Sequence, residues 1–571
     1  MLRMPRRTLG GVVAFLCLVM LAIAPGTALA KKKKPKEPVL QPATYPDMST
    51  YQCRTDAIPI HPGQNINDFT VTNTCPHAVK VSGPGDASIF TPGSNVKGYI
   101  TRFKPSMVEV HPDGSVTTPS VWDLHLHHVV WIINGQPTFA SGEEKTIATL
   151  PQGYGGKVSA GATWVLNDMI HNLNASEGRS VYITWEIDWV PETTPARTDI
   201  ADTDIRWLDV AGAPQVYPVF DAEKGFDLDG DGKWTFPDDV PTDPSAPGYE
   251  ERSKISEARK WVIPQSGATL VFGAGHLHPG GMRVDLRVAR DGPDNGTEPG
   301  DSAGEVKRLF RSDARYYEPA GAVSWDVALE ATPRDWRISL KPGDLVSINV
   351  TYKVKKASWY ESMGILPLAW SKASDPAARD PWDNADEVKA MYKEGGVLTH
   401  RRLKENIDYK ARKNLGLPDP RDLPSGSPVP SGGIPIKSFY NTIGGFSAVR
   451  GFPAQQMRPP TIESGQTVTF ENFDALPGTA NEDQVWHSIT SCRAPCNKDS
   501  GIGYPLANGP VKFDSGQLGY GQGGSSGVTT GSNIYTTPPL TTSPTANKRG
   551  TTYTYFCRIH PYMRGSIRVV K

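Results

Sequence analysis

Cys557, His560 and Met563 stand at C-x-x-H-x-x-M spacing in the run Tyr555-Phe556-Cys557-Arg558-Ile559-His560-Pro561-Tyr562-Met563-Arg564-Gly565, close to the end of the chain. A thiolate, an imidazole and a thioether so spaced reach one metal when the cysteine ends a strand and the loop turns back into the next, here Ser566–Val570. Such a loop needs one more ligand. His487 supplies it, following the β-rich run Thr467–Phe473 and lying in the strand-like segment Val485-Trp486-His487-Ser488-Ile489. Two histidines, one cysteine and a weak axial methionine make the trigonal ligand set of a blue copper electron-transfer site. A ligand set drawn from separated strands suits a β-sandwich.

The residues around these ligands resemble the cupredoxins, and the loop with Pro561, Met563, Arg564 and Gly565 looks most like that of amicyanin. Phe513-Asp514-Ser515-Gly516 matches a run of plastocyanin-like domains, and Asn472 sits where that family places an asparagine that braces the ligand loop. The resemblance covers residues 434–571 and implies a cupredoxin β-sandwich holding one type 1 copper.

At 571 residues the chain exceeds one ordinary core, and about three or four domains are expected. Met1–Arg7 is basic, Leu9–Ala24 apolar and Ala28-Leu29-Ala30 a small-residue cleavage signal, so residues 1–30 read as a signal peptide; Arg6-Arg7 also admits a twin-arginine reading. Secretion or a periplasmic location follows, and no later apolar run is long enough to span a membrane. Cysteine usage agrees with export. With Cys17 in the signal and Cys557 assigned to metal, Cys53, Cys75, Cys492 and Cys496 remain, and proximity favours Cys53–Cys75 and Cys492–Cys496 without excluding other pairings. A net charge of zero gives no support for a nucleic-acid partner.

Residues 31–50 are expected to be a disordered leader that begins with the basic, proline-bearing run Lys31–Pro38. Short β-branched and aromatic runs broken by Gly, Pro, Asn and Asp then follow, among them Phe69–Asn73, Gly98–Phe103, Val129–Ile133 and Val181–Val190. A second series includes Thr269–Phe272, Met282–Val288 and Leu345–Val354. The expectation is an all-β chain, with two jelly-roll-like β-sandwich domains followed by the cupredoxin sandwich. Its divisions are a first, His-rich sandwich at 51–220, a calcium-loop insertion at 221–250, a second sandwich with a helical tail at 251–410, a Pro-rich linker at 411–433 and the cupredoxin domain at 434–571. Asp383–Glu394 is the helical candidate.

Six of the twelve histidines fall in three groups: His125-Leu126-His127-His128, His171, and His276-Leu277-His278. Met363 follows in Trp359-Tyr360-Glu361-Ser362-Met363. This order resembles the copper monooxygenases that include peptidylglycine α-hydroxylating monooxygenase and dopamine β-monooxygenase. Carried over by position, the resemblance implies one electron-transfer copper on His127, His128 and His171. It implies a second, oxygen-handling copper on His276, His278 and Met363, which would be the catalytic residues. The chain departs from that family in lacking its dense disulfides. A regular strand would moreover put His125 and His127 on one face and His128 on the other, so whether His125 replaces His127 or His128 stays open.

Asp227-Leu228-Asp229-Gly230-Asp231-Gly232-Lys233-Trp234-Thr235-Phe236-Pro237-Asp238 has the spacing of a calcium loop. Asp227, Asp229 and Asp231 take positions one, three and five, the Lys233 carbonyl seven, Thr235 nine and Asp238 twelve. Pro237 argues against a helix leaving the loop. The chain has no G-x-S-x-G elbow, phosphate loop or H-E-x-x-H helix, which leaves hydrolase and nucleotide chemistry without support. The expected function is an exported copper protein with a blue copper electron-transfer domain. A redox partner protein or small reductant would feed it, and it would serve a monooxygenase-like module acting on dioxygen and an organic substrate. The alternative is a non-catalytic electron-transfer protein whose inner domains are structural or bind a partner.

Overall fold

The computed structural model describes the chain from residue 43 to 571 apart from 62–63, 122, 173–176, 193–196, 213–217, 291–304, 318–325, 356–357, 383–395, 402–418, 437–457, 476–486, 493–511, 517, 521–529, 545–548 and 558–563. Among the described residues the regular secondary structure is strand apart from a few short 3-10 turns, so the chain is all-β. The expected signal peptide and the helical candidate at 383–394 lie outside the described residues.

The first sandwich is built on the long antiparallel pair Gly98–Val110 and Arg179–Pro191, with Ser49–Arg54 on the far side of Arg179–Pro191. Over it lies a four-stranded sheet in the order Asn65–Thr72, Trp164–Asn172, Leu124–Ile133, Gln136–Ser141. Alternation decides what each strand buries. Val129, Trp131 and Ile133 point inward from one strand, Trp164, Leu166 and Ile170 from its neighbour, and all join one apolar core with Trp185. Each fully buried side chain of this size contributes about 1.5–3 kcal/mol. The opposite face of Trp164–Asn172 therefore carries Asn167, Met169 and His171. Cys53 and Cys75 form the expected disulfide, tying the first strand to the turn before Val79–Ser82.

The second sandwich sets a seven-stranded sheet, centred on Leu345–Lys353 and Gly281–Arg290, against Ala268–Gly273 and Trp359–Ser371. The two sandwiches share a sheet: Ala201–Asp209, expected within the first, pairs along Trp359–Ser371 of the second. The segment expected as an insertion at 221–250 is also woven in. Val219–Ala222 pairs with Trp359–Ser371 and Lys233–Phe236 with Leu345–Lys353, because Phe220, Trp234 and Phe236 are too large and apolar to sit in a surface excursion. The disordered leader expected at 31–50 does not hold from residue 43 onward. Ala43 and Tyr45 are buried with Tyr99, Val190 and Ile200, and Arg197 pairs with Asp47.

The last module stacks a three-stranded sheet (Ile434–Ile436, Thr469–Asn472, Ile534–Thr536) on a four-stranded one (Thr461–Glu463, Arg564–Val570, Thr551–Phe556, Thr490–Cys492). Its apolar core contains Phe470, Ile489, Leu518, Cys557 and Ile567. Among the described residues, Met169 is the one member of that core from outside 434–569. Cys492 is disulfide-bonded, and its expected partner Cys496 lies outside the described residues.

Candidate metal centres

Cys557 follows directly on strand Thr551–Phe556 and is fully buried, outside any disulfide. Strand pairing brings Thr490 opposite Phe556, and this places His487 and Ser488 beside the thiol. His487 Nδ1 is 3.9 Å from Cys557 Sγ, and the Ser488 N–H donates to the same sulfur at 3.3 Å. The other ring nitrogen, Nε2, is held by Asp474 Oδ2 at 2.9 Å. Burial disfavours charge on His487, yet its hydrogen bonds to Asp474 and Cys557 raise its pKa to about 9. A hydrogen bond at the far nitrogen is what sets the orientation of a ligating imidazole. Asn472 braces this corner: its Nδ2 donates to Leu518 O, and its Oδ1 accepts from the Asp474 N–H. Leu518 in turn exchanges backbone hydrogen bonds with His487. His560 and Met563, the other two expected ligands, lie outside the described residues.

The inner histidines form one cluster rather than two. Leu124–Ile133 and Trp164–Asn172 are antiparallel, with His125 directly opposite His171 and His128 opposite Met169. The register slips between Met169 and Ile170, which leaves His127 as the extra residue of a β-bulge. The bulge breaks strict alternation, so His127 contacts both neighbours: its ring centroid is 5.7 Å from that of His125 and 5.4 Å from that of His128. His171 lies 5.2 Å from His125 and 5.3 Å from His127. From the second sandwich, His278 comes within 5.2 Å of His127, and His276 stands 5.5 Å from His278.

The surroundings orient these rings. His278 Nδ1 bonds the Glu361 carbonyl at 2.6 Å, and Glu361 takes a positive φ of 54° with its N–H donating to Asp221. A non-glycine residue in that conformation persists only where its surroundings hold it, and such residues gather at functional sites. His276 Nδ1 is 3.1 Å from Glu144 Oε1. Burial alone would raise the Glu144 carboxyl, but the neighbouring His276 and hydrogen bonds bring it below its ordinary value. Gly142 is required there, since a Cβ would stand 2.7 Å from Glu144 Oε2 and 2.8 Å from His127 O. The fully buried Tyr352 hydroxyl donates to Met363 O and accepts from the N–H groups of Met363 and His278, so it joins the two segments.

Burial, helped by neighbouring rings, disfavours the charged form of five of these imidazoles. His125, His127 and His278 fall well below the ordinary value, His128 to about 4 and His171 to about 3. Neutral imidazole is the form that ligates a metal. Nε2 of His171 is buried without a hydrogen-bond partner. No three His, Cys, Asp or Glu side chains among the described residues stand in metal-holding geometry, so ring rotation would have to accompany binding. Met363 is buried against Ile365, with Trp207 and Val219 beside it. His127, His128, His276, His278 and Met363 border a cavity of about 720 Å³ that runs between the sandwiches.

In the acidic loop the Asp231 N–H donates to Asp229, and Asp231 pairs with Lys233 Nζ. Asp238, expected at position twelve, turns instead to Arg287 and Asn349. Asp239 bonds the Thr235 N–H, and its carboxyl is raised by burial and by the charges of Asp229 and Asp231. Thr235, expected at position nine, directs its hydroxyl to Thr351 Oγ1 at 3.0 Å. Sequence reasoning passed over Glu144, Glu361, Tyr352 and Asp474. Each acts through a contact across 11 to 132 positions, for which a single sequence holds no signal.

No family model matches the chain, and no curated protein matches it. Solved structures similar to it include the Cu-containing nitrite reductase from Thermus scotoductus SA-01, at 15% identity over 53% of this chain with a TM-score of 0.13. The match spans 55% of that protein's chain, about half its length. Two infectious bursal disease virus structures, the Gx strain and the VP2 subviral particle, match at 12% and 13% identity over 59% of this chain and 76% of theirs, both with a TM-score of 0.17. At these TM-scores the likenesses carry no argument.

Proposed function

We propose that this chain is an exported copper protein that accepts single electrons at Cys557 and passes them to a histidine-rich copper centre, where an organic substrate is oxidised with dioxygen. The observation that carries the reading is the buried Cys557 thiol with His487 Nδ1 at 3.9 Å and the Ser488 N–H on its sulfur. A cysteine thiolate beside an oriented imidazole suits copper, and Met563 and His560 would complete the set. Copper there would supply one-electron transfer. The protein's own share is to bury the thiolate, fix His487 through Asp474 and satisfy the sulfur with a backbone donor.

Met169 supports a link between the two centres, since it packs in the core that contains Cys557 and lies two residues before His171 on the same strand face. His276, His278 and Met363 border the cavity and would meet the substrate, with Glu144 and Glu361 holding the two rings in place. A redox partner protein or small reductant would supply the electrons. Calcium in the loop from Asp227 would stiffen the start of the second sandwich.

A second reading, electron transfer alone with the inner histidines structural, is favoured by the absence among the described residues of three side chains already in metal-holding geometry. Copper analysis of the purified protein separates the two. More than one copper per chain together with ascorbate-driven oxygen uptake supports the first reading, and one copper without uptake supports the second. Either way the oxidised protein should carry an intense visible absorption band that Cys557→Ser abolishes, and a colourless copper-loaded protein overturns the Cys557 assignment.

A further inference from the structure

We propose that the inner copper of the first sandwich is held by His125, His127 and His171, and that His128 is not a ligand but the group that, with Asn167, orients His127. The proposal rests on the reading above only in requiring that copper bind to this cluster.

The three rings form a nearly regular triangle, with centroid separations of 5.7, 5.2 and 5.3 Å. Imidazoles bound to one metal through bonds of about 2.0 Å place their centroids roughly 5 Å apart. The triangle thus has the right size, and ring rotation rather than backbone movement is what closes it on an ion. His125 and His171 are direct cross-strand partners, and the bulge at His127 brings the third ring to the same face. His171 contributes a buried Nε2 with no hydrogen-bond partner.

His128 is engaged differently. Its Nε2 is 3.2 Å from Asn167 Oδ1 and its Nδ1 is 3.2 Å from His127 Nδ1. The Asn167 amide nitrogen donates to Asn67 Oδ1 and to the Asp68 carbonyl, which fixes Oδ1 as the acceptor facing His128. His128 Nε2 must then carry the proton and donate. In a neutral ring the proton on Nε2 makes Nδ1 an acceptor, so His127 donates from Nδ1. The His127 proton being on Nδ1, its Nε2 holds the lone pair. The relay from Asn167 through His128 therefore selects the tautomer of His127 that ligates through Nε2, the role that outer-shell hydrogen bonds play at metal-bound histidines.

The test uses the full-length protein equilibrated with Cu(II), total copper counted by mass spectrometry and non-blue copper by electron paramagnetic resonance, with a thermal melt on each variant. His125→Gln and His171→Gln should each lose one non-blue copper per chain even at saturating copper. His128→Gln and Asn167→Leu should keep the count while weakening that copper by about 10–100-fold. Asn167→Asp, which retains an acceptor for His128 Nε2, should restore most of the affinity. Loss of a copper in His128→Gln with retention in His125→Gln overturns the proposal, as does retention in both His125→Gln and His171→Gln. Absence of non-blue copper from the unmodified protein would instead overturn the histidine-rich centre itself. Asn167→Leu alters no ligand, so its affinity change reads the relay even if a histidine variant fails to fold.

Discussion

His127 and His278 belong to different sandwiches, yet their imidazole centroids are 5.2 Å apart and nearly perpendicular, with an interplanar angle of 79°. The groups that the monooxygenase resemblance would assign to two separate coppers thus meet edge to face. A metal on each group would have neighbouring ligands in van der Waals contact.

Two inner coppers should therefore interact magnetically. With the protein fully copper-loaded and oxidised, the spins counted by electron paramagnetic resonance should fall short of the non-blue copper found by mass spectrometry, or the signal should be broadened by dipolar coupling. Two sharp, independent signals with full spin recovery would show the sites to be separate.

Tyr352→Phe removes one hydroxyl that serves the Met363 carbonyl and the N–H groups of Met363 and His278. Leaving buried backbone groups unpaired costs about 1–3 kcal/mol each, partly recovered by relaxation. The melting temperature should drop by several degrees, and copper bound through His278 should weaken while the visible band of the Cys557 site stays unchanged. An unaltered melting curve would mean that the hydroxyl does not hold these segments.

Asp168 gives the stability a pH dependence. Both its carboxylate oxygens are buried without hydrogen-bond partners, and burial, then the charge of Asp68, raises its pKa to about 7. A carboxyl raised in the folded state binds a proton that the unfolded chain has released. Its contribution is fully present below about pH 4 and is lost as pH rises through about 7, on the order of 4 kcal/mol in total. Asp168→Asn keeps the neutral form at every pH. The variant should melt higher than the unmodified protein at pH 8, with the gap closing towards pH 4, and a gap independent of pH would refute the assignment.

Calcium should stabilise the protein by mass action, by about 2.7 kcal/mol when present at a hundred times its dissociation constant. Asp229→Asn with Asp231→Asn should remove the effect. Because Asp239 rather than Asp238 faces these charges, Asp239→Asn should weaken calcium more than Asp238→Asn does. Identical melts with and without calcium would exclude the loop as a site.

Strand content was legible from β-branched runs punctuated by turn residues, because side-chain alternation and turn chemistry are local properties of a chain. The pairing of Cys53 with Cys75 followed from their closeness in sequence, and the proximity of His487 to Cys557 from ligand spacing on strand-like runs. Position 127 shows the limit. Strict alternation leaves His125, His127 and His128 on conflicting faces, and only the register of Leu124–Ile133 against Trp164–Asn172 reveals the bulge that reconciles them. Register is a property of two strands rather than of one. The shared sheet through Ala201–Asp209 and Trp359–Ser371 then brings His278 to His127 from about 150 residues away, a distance that loop closure penalises only weakly but that no local pattern encodes. Which residue types are able to ligate a metal was legible from composition and spacing. Which imidazoles face one another was decided by packing between elements remote in the chain.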